Sequence, residues 1–275
     1  MISATTTIPP IALPAFAQSA LKSAAAFWLV VTAIGQLIFV AYIASFYGST
    51  AVQGNFAAWN KVLPHGHVPG DAMGNAALMG HMLFAAVIML GGLLQLIPHV
   101  RTHAPRLHRW NGRVYVLTAI AASLTGLYMV WLRGSVDNVL QSVGISINAL
   151  LVIVCGVMTV RHALARRLAV HRRWALRLFL VVSGVWFFRV GLMFWIVVNG
   201  GPVGFDPATF RGPALDAITF AQFLLPLAVL ELYLRVQASA GAAGRIAMAA
   251  GLALLTVAMG VGIFVAAMAM WLPRI

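Results

Sequence analysis

From about residue 24 onward the chain alternates long apolar runs with short connections rich in Gly, Pro, Arg and His. Seven runs have the length to cross a membrane: about 24–47, 77–99, 112–132, 142–162, 175–198, 215–235 and 246–271. At a helical rise of ~1.5 Å per residue, ~20 apolar residues cross a hydrocarbon core of roughly 30 Å. The pattern predicts an all-α integral membrane protein with seven transmembrane helices in one domain, residues 23–275. Residues 1–22 carry Pro9, Pro10 and Pro14 and are expected to form a flexible tail. Two further connections, 48–75 (with Pro64, His65, His67, Pro69 and Asp71) and 199–213, read as loops on the outer face.

Composition sharpens this picture. The 275 residues are 62% hydrophobic and 8% charged, too few charges to cover a soluble protein of this length. A net charge of +13 would suit nucleic acid, but the cations gather at the ends of apolar runs. Positive-inside bias and anionic lipid account for that placement, so no nucleic-acid partner is expected. Cys155 is the only cysteine and lies within an apolar run, which excludes an internal disulfide and any CxxC motif.

The cations also orient the chain. Lys22, Arg101, Arg106, Arg109, Arg113, Arg161, Arg166, Arg167, Arg172, Arg173, Arg177, Arg235 and Arg245 fall on one side of a seven-span arrangement. Lys61, Arg133, Arg211 and Arg274 fall on the other. This asymmetry predicts a bacterial cytoplasmic (inner) membrane protein with a cytoplasmic N-terminus and a periplasmic or extracellular C-terminus.

Two basic elbows stand out between apolar runs. One contains His108, Arg109, Trp110, Gly112, Arg113 and Tyr115; the other contains His171, Arg172, Arg173 and Trp174, followed by Arg177. His, Arg and Trp at the mouth of an apolar helix form an interfacial arrangement, with Trp at headgroup depth and guanidinium groups toward phosphate or water. Their likeness predicts a central four-helix core, residues 77–199, made of two similar hairpins. Anionic lipids at the cytoplasmic face are the expected partners of these elbows.

Counting from the cytoplasmic ends locates a polar layer inside the membrane. Arg189 lies about 12 residues into the fifth span, roughly 18 Å deep. Asn148, Gln222, Ser123 and Thr125 come out near the same level, and His81 a turn or two nearer the outer surface. A central arginine costs about 2.5 to 3.5 kcal/mol on insertion scales. No carboxylate is expected at its level, because Asp216 lies near the outer end of the sixth span and Glu231, with Arg235 one turn on, near the inner end. The layer then either caps Arg189 with carbonyls and amides or binds an anionic or carbonyl-bearing ligand. The candidate ligand-binding set is His81, Ser123, Thr125, Asn148, Arg189 and Gln222.

Four histidines admit a metal cofactor. His99 and His162 close the second and fourth spans, and His108 and His171 open the third and fifth, all toward one face. That spacing permits a b-type haem between the hairpins, since axial ligation requires two imidazoles at one depth on facing helices. The alternative is that these histidines only join the basic interface. HExxH, Walker and GxGxxG signatures are absent, as are paired carboxylates for acid–base or Mg²⁺-diphosphate chemistry.

The two elbows, together with His81 and Arg189, resemble a family of bacterial multi-pass membrane proteins known as domain of unknown function 2306. The resemblance covers about residues 77–199 and implies a helical membrane domain without a settled activity. The second elbow departs from the family form in having Ala175 where Met is expected. The leading expectation is an intramembrane polar pocket for a small redox or lipid-like ligand, a quinone or haem included, serving electron transfer. The alternatives are a small-molecule transporter, for which similar hairpins would be repeats, and a non-catalytic assembly or scaffold subunit. No span shows the paired Gly/Pro interruption that would mark broken transport helices.

Overall fold

The computed structural model describes residues 13–63 and 65–275, so Pro9, Pro10 and Pro64 lie outside it. Nine helices carry the described chain: α1 (Leu13–Val52), α2 (Ala72–Leu96), α3 (Pro98–His103), α4 (Pro105–Trp131), α5 (Val139–Leu164), α6 (Leu168–Val182), α7 (Gly184–Val198), α8 (Pro213–Ser239) and α9 (Ala242–Arg274). A short 3₁₀ turn, Phe56–Lys61, lies in the loop between α1 and α2. Six helices are long and apolar enough to span a membrane, and α6 with α7 form a seventh, bent by 54°. Leucines such as Leu83, Leu117, Leu150 and Leu254 face outward, as a bundle solvated by lipid requires.

Side-chain register decides whether the bent pair crosses the membrane or turns back. Arg177 on α6 meets Glu231 on α8, and Gly191 on α7 meets Ile218 on the same helix. The pair therefore runs steadily antiparallel to α8 from one end to the other, which makes it one crossing. The closing helices agree. Thr32 meets Met259, Gly35 meets Ile263 and Phe39 meets Trp271, so α1 and α9 run parallel. Parallel first and last spans require an odd number of crossings, which among the described residues matches seven candidate spans with the bent pair counted as one.

These helices start where local chemistry starts them. Pro98, Pro105 and Pro213 occupy first-turn positions, where the missing N–H costs nothing. Asp71 caps α2 by accepting from the Gly74 N–H at 2.8 Å, and Asn138 caps α5 through the Leu140 N–H at 2.9 Å. Pro14 does the same for α1, which begins at Leu13 rather than near residue 24. The expected tail is thus helical from Leu13, because proline in the first turn is tolerated where proline further in would not be.

The helices close on themselves. α1 packs along α9, α9 along α7, α4 along both α2 and α5, and α5 along α6. Two close approaches set the α1–α9–α7 layer. A Cβ on Gly35 would lie 2.7 Å from both Trp186 and Ile263, and one on Gly262 would run into the Val190 carbonyl. Small residues here let backbones approach, the usual device where lipid offers no hydrophobic drive for helix pairing.

At the end of the bundle away from the elbows, Arg133 fastens the first loop. Its side chain, 6% exposed, donates to Asp71 at 3.0 Å and to Asn75 at 2.6 Å. Trp59 is buried beneath that loop, with its indole N–H on the Thr50 hydroxyl at 2.7 Å. In the loop between α7 and α8, the Ala208 N–H and Thr209 hydroxyl hold the Asp206 carboxyl below the usual carboxylate range.

Gly262→Ala should lower stability by about 2 kcal/mol, because α7 backbone must retreat to admit the methyl group. Gly251→Ala, where a methyl group meets nothing within 4 Å, should be neutral or slightly stabilising. Thermal unfolding in detergent separates the two, and equal melting temperatures would contradict the packing described.

Candidate functional site

The expected straight fifth span is broken at Ser183 and Gly184, and this break arranges everything around it. Ser–Gly pairs are common causes of helix kinks. The Ser183 hydroxyl donates to the Phe179 carbonyl at 2.8 Å and accepts from the Gln36 side-chain amide at 3.0 Å. Asn148 sits against Gly184 from α5, where a Cβ would lie 2.8 Å from its amide nitrogen. Gln36 and Asn148 thus hold the break from opposite helices, both buried.

Because α6 leans toward α5 while α7 leans toward α9, a cavity of about 1300 Å³ opens on the elbow side. Its mouth carries Arg101, Arg109, Arg113 and Arg172 with His108 and His171, and no carboxylate side chain lines it. Its depth is apolar, with Phe179, Phe187, Val190, Phe194, Leu225 and Met259 among the lining residues. Both elbows therefore belong to one site.

The elbows repeat one construction. Arg113 stacks on Trp110 and Arg177 on Trp174, each guanidinium 4.8 Å from the ring centroid. The i, i+3 spacing stands both pairs on one helical face. Their charges end differently. Arg177 donates to Glu231 at 2.7 Å, whereas Arg113 has no acidic partner. Glu231 was expected to pair with Arg235 one turn on its own helix; instead the second elbow captures it across the bundle. His171 contacts the Thr159 carbonyl through Nδ1 at 3.0 Å, and Gln95 donates to the His108 carbonyl at 2.8 Å. The Tyr115 hydroxyl and His108 Nδ1 are buried without a partner, and both residues line the cavity.

Comparison with known proteins adds one finding. A family model described as "Predicted membrane protein (DUF2306)" matches residues 78–215, half of the chain. The chain belongs to this family. No curated protein and no solved structure matches it. The family region contains both elbows, Arg189 and the break, and reaches the first turn of α8.

In this DUF2306 protein the expected single polar layer divides into separate places. His81 Nδ1 meets the Thr125 hydroxyl at 3.2 Å between α2 and α4. Arg189 stays on the far side of the break from the elbows. Its guanidinium stacks over Phe39 at 5.4 Å and donates to the Val185 carbonyl at 3.2 Å. Tyr42, Tyr47 and His81 are the titratable groups within electrostatic reach of it. Among the described residues no carboxylate pairs with it. The expected grouping with Asn148, Gln222 and Ser123 does not form. Asn148 packs on Gly184, Gln222 donates to the Thr219 carbonyl and lines the cavity, and Ser123 turns its hydroxyl back to the Ala119 carbonyl. Counting depth along straight helices placed them together, and the span that carries Arg189 is bent by 54° before it reaches that residue. Neither Arg189 nor His81 lines the elbow cavity.

The four histidines also separate. His108 and His171 face the cavity within electrostatic reach of each other. His99 stacks on His103 within α3, ring centroids 3.9 Å apart, and His162 lies outside the lining. Among the described residues no cluster of three or more His, Cys, Asp or Glu could hold a metal ion.

Gln36 and Ser183 were missed as site residues, whereas Tyr115 was read as part of the first elbow. Gln36 in an apolar run and the Ser183-Gly184 step were the available signals. Tyr115→Phe should leave the ligand-free protein as stable or slightly more so, since it removes a buried hydroxyl that has no partner. A melting temperature lowered by more than about 3 °C would mean that the hydroxyl already has one.

Proposed function

We propose that this protein binds a membrane-resident amphiphile, a small redox or lipid-like molecule, in the cavity beneath the two elbows. One observation carries the reading: a single space of about 1300 Å³ joins a basic mouth at the bundle end to an apolar interior beside the α6–α7 break. That volume exceeds the range of a few hundred to ~1000 Å³ common for small-molecule sites. Its polarity gradient matches a molecule with a polar head and a long apolar body. Electron transfer in the cytoplasmic membrane is the function such a ligand would serve if it is a quinone.

The elbows are assigned to the cytoplasm, together with the N-terminus, and the C-terminus to the opposite side. Support comes from the four arginines and two histidines gathered at one mouth. In a Cys155→Ala background, Ala104→Cys should react with an impermeant maleimide only after the membrane is opened. Gly200→Cys should react in intact cells. The reverse pattern would overturn the orientation.

A second reading, haem b, draws on the pair His108 and His171. His171 Nδ1 is engaged by a backbone carbonyl, which leaves Nε2 as its available nitrogen, the arrangement common among metal-ligating histidines. His108 approaches the same cavity from α4. A reduced spectrum of the purified protein with Soret and alpha bands that vanish in His171→Ala would establish it, and a flat spectrum would remove it.

Filling the interior tests the main reading. Ala221→Phe places a ring among the apolar lining and should reduce co-purifying amphiphile about tenfold, a loss of ~1.4 kcal/mol. Mass spectrometry of protein extracted in polymer nanodiscs measures this. Equal amounts of the same small molecules in wild type and variant would sink the proposal.

A further inference from the structure

We infer that the head of the bound amphiphile is an anionic phosphate, and that the mouth of the cavity is a phospholipid headgroup site. This rests on reading the cavity as an amphiphile site, and it goes further by naming what the mouth recognises.

Charge matching elsewhere in the fold carries the first step. Of the arginines drawn into the bundle, Arg133 is met by Asp71 and Arg177 by Glu231, while Arg189 rests singly against the Phe39 ring and the Val185 carbonyl. The mouth differs in gathering several. Arg101, Arg109, Arg113 and Arg172 converge there from α3, α4 and α6, and the lining holds no aspartate or glutamate. A neutral quinone head would leave this charge unmatched. A phosphate accepts hydrogen bonds from guanidinium groups in a fixed, two-point geometry, which arginine favours.

Donors set deeper in the same space carry the second step. Tyr115 is 5% exposed, and its hydroxyl has no partner. His108 Nδ1 is likewise unpartnered, and both residues belong to the lining. A headgroup oxygen descending past the arginines would satisfy the Tyr115 hydroxyl. Arg113 is already ordered by its stacking on Trp110, so less freedom is lost when it engages the head. Below these donors the apolar walls run on to Phe194 and Leu225, where acyl chains fit.

A positive membrane surface alone would attract anionic lipid without any site, and the experiment is built to tell the two apart. The full-length protein, in a neutral detergent, is titrated with dioleoyl phosphatidylglycerol, dioleoyl phosphatidylcholine, a ubiquinone and inorganic phosphate, and bound species are counted by native mass spectrometry. Phosphatidylglycerol should bind at least about tenfold more tightly than phosphatidylcholine or ubiquinone. Arg109→Gln/Arg172→Gln should abolish that preference. Tyr115→Phe should weaken phosphatidylglycerol by at least about tenfold, in line with one lost hydrogen bond to a charged group. Arg166→Gln/Arg167→Gln removes the same charge from the same face outside the cavity and should change nothing.

Equal binding of phosphatidylglycerol and ubiquinone would overturn the phosphate head while leaving an amphiphile site, and equal binding of phosphatidylglycerol and zwitterionic phosphatidylcholine would overturn its net negative charge. Binding of none of the three amphiphiles would overturn both. Inorganic phosphate binding as tightly as the lipid would overturn the lipid as its source. An equal loss in the Arg166/Arg167 variant would reduce the effect to surface charge and overturn the site.

Discussion

The break between Ser183 and Gly184 is the constraint on which the rest of this structure depends. A serine and a glycine inside an apolar span cost little by themselves, but they release the backbone geometry of a helix that must still cross the membrane. Lipid offers no partner for the polar serine side chain at the bend, so the break has to be held by protein. Gln36 on α1 supplies an amide to Ser183, and Asn148 on α5 covers Gly184. With the break held in this way, α6 follows α5 and α7 follows α9. The elbow cavity is the space left between those two directions.

The same break explains how the two halves of the membrane came to differ. Toward the elbows the bundle is open, basic and free of acids at the mouth. Away from them it is closed. Phe39, Tyr42, Tyr47 and Trp271 fill the space around Arg189, and the Arg133–Asp71 pair pins the first loop above. Arg189 is then stabilised by an aromatic face and a backbone carbonyl, which take up part of its positive charge without adding an ionised carboxylate to a medium that disfavours one.

Much of the architecture was legible in the sequence, because membrane thickness fixes the length of an apolar run and the register then fixes the number of crossings. The elbows were legible for a related reason: Trp110 with Arg113 and Trp174 with Arg177 repeat at a helical spacing that permits one geometry. The site was less so. His81 and Thr125 do meet, but the wider layer was inferred by adding equal rises along straight helices, and one bend invalidates that sum for every residue beyond it. Glu231 shows the other limit. Its nearest cation along the chain is Arg235, yet its partner is Arg177, 54 residues away in sequence, and only packing of α6 on α8 brings that about. Proline likewise misled at α1, where Pro14 opens a helix it was expected to prevent.

The unequal fates of the two elbows bear on function more than their likeness does. If both were only membrane anchors, neither would need a carboxylate, since water and headgroups suffice at an interface. One has a carboxylate and one has not. Arg177, directed into the bundle toward α8, is matched by Glu231 and thereby fixes where α6 lies. Arg113 stacks on its tryptophan and lines the cavity, unmatched. Built from the same residues, one elbow spends its charge on holding the fold, and the other keeps its charge available at the mouth of the cavity.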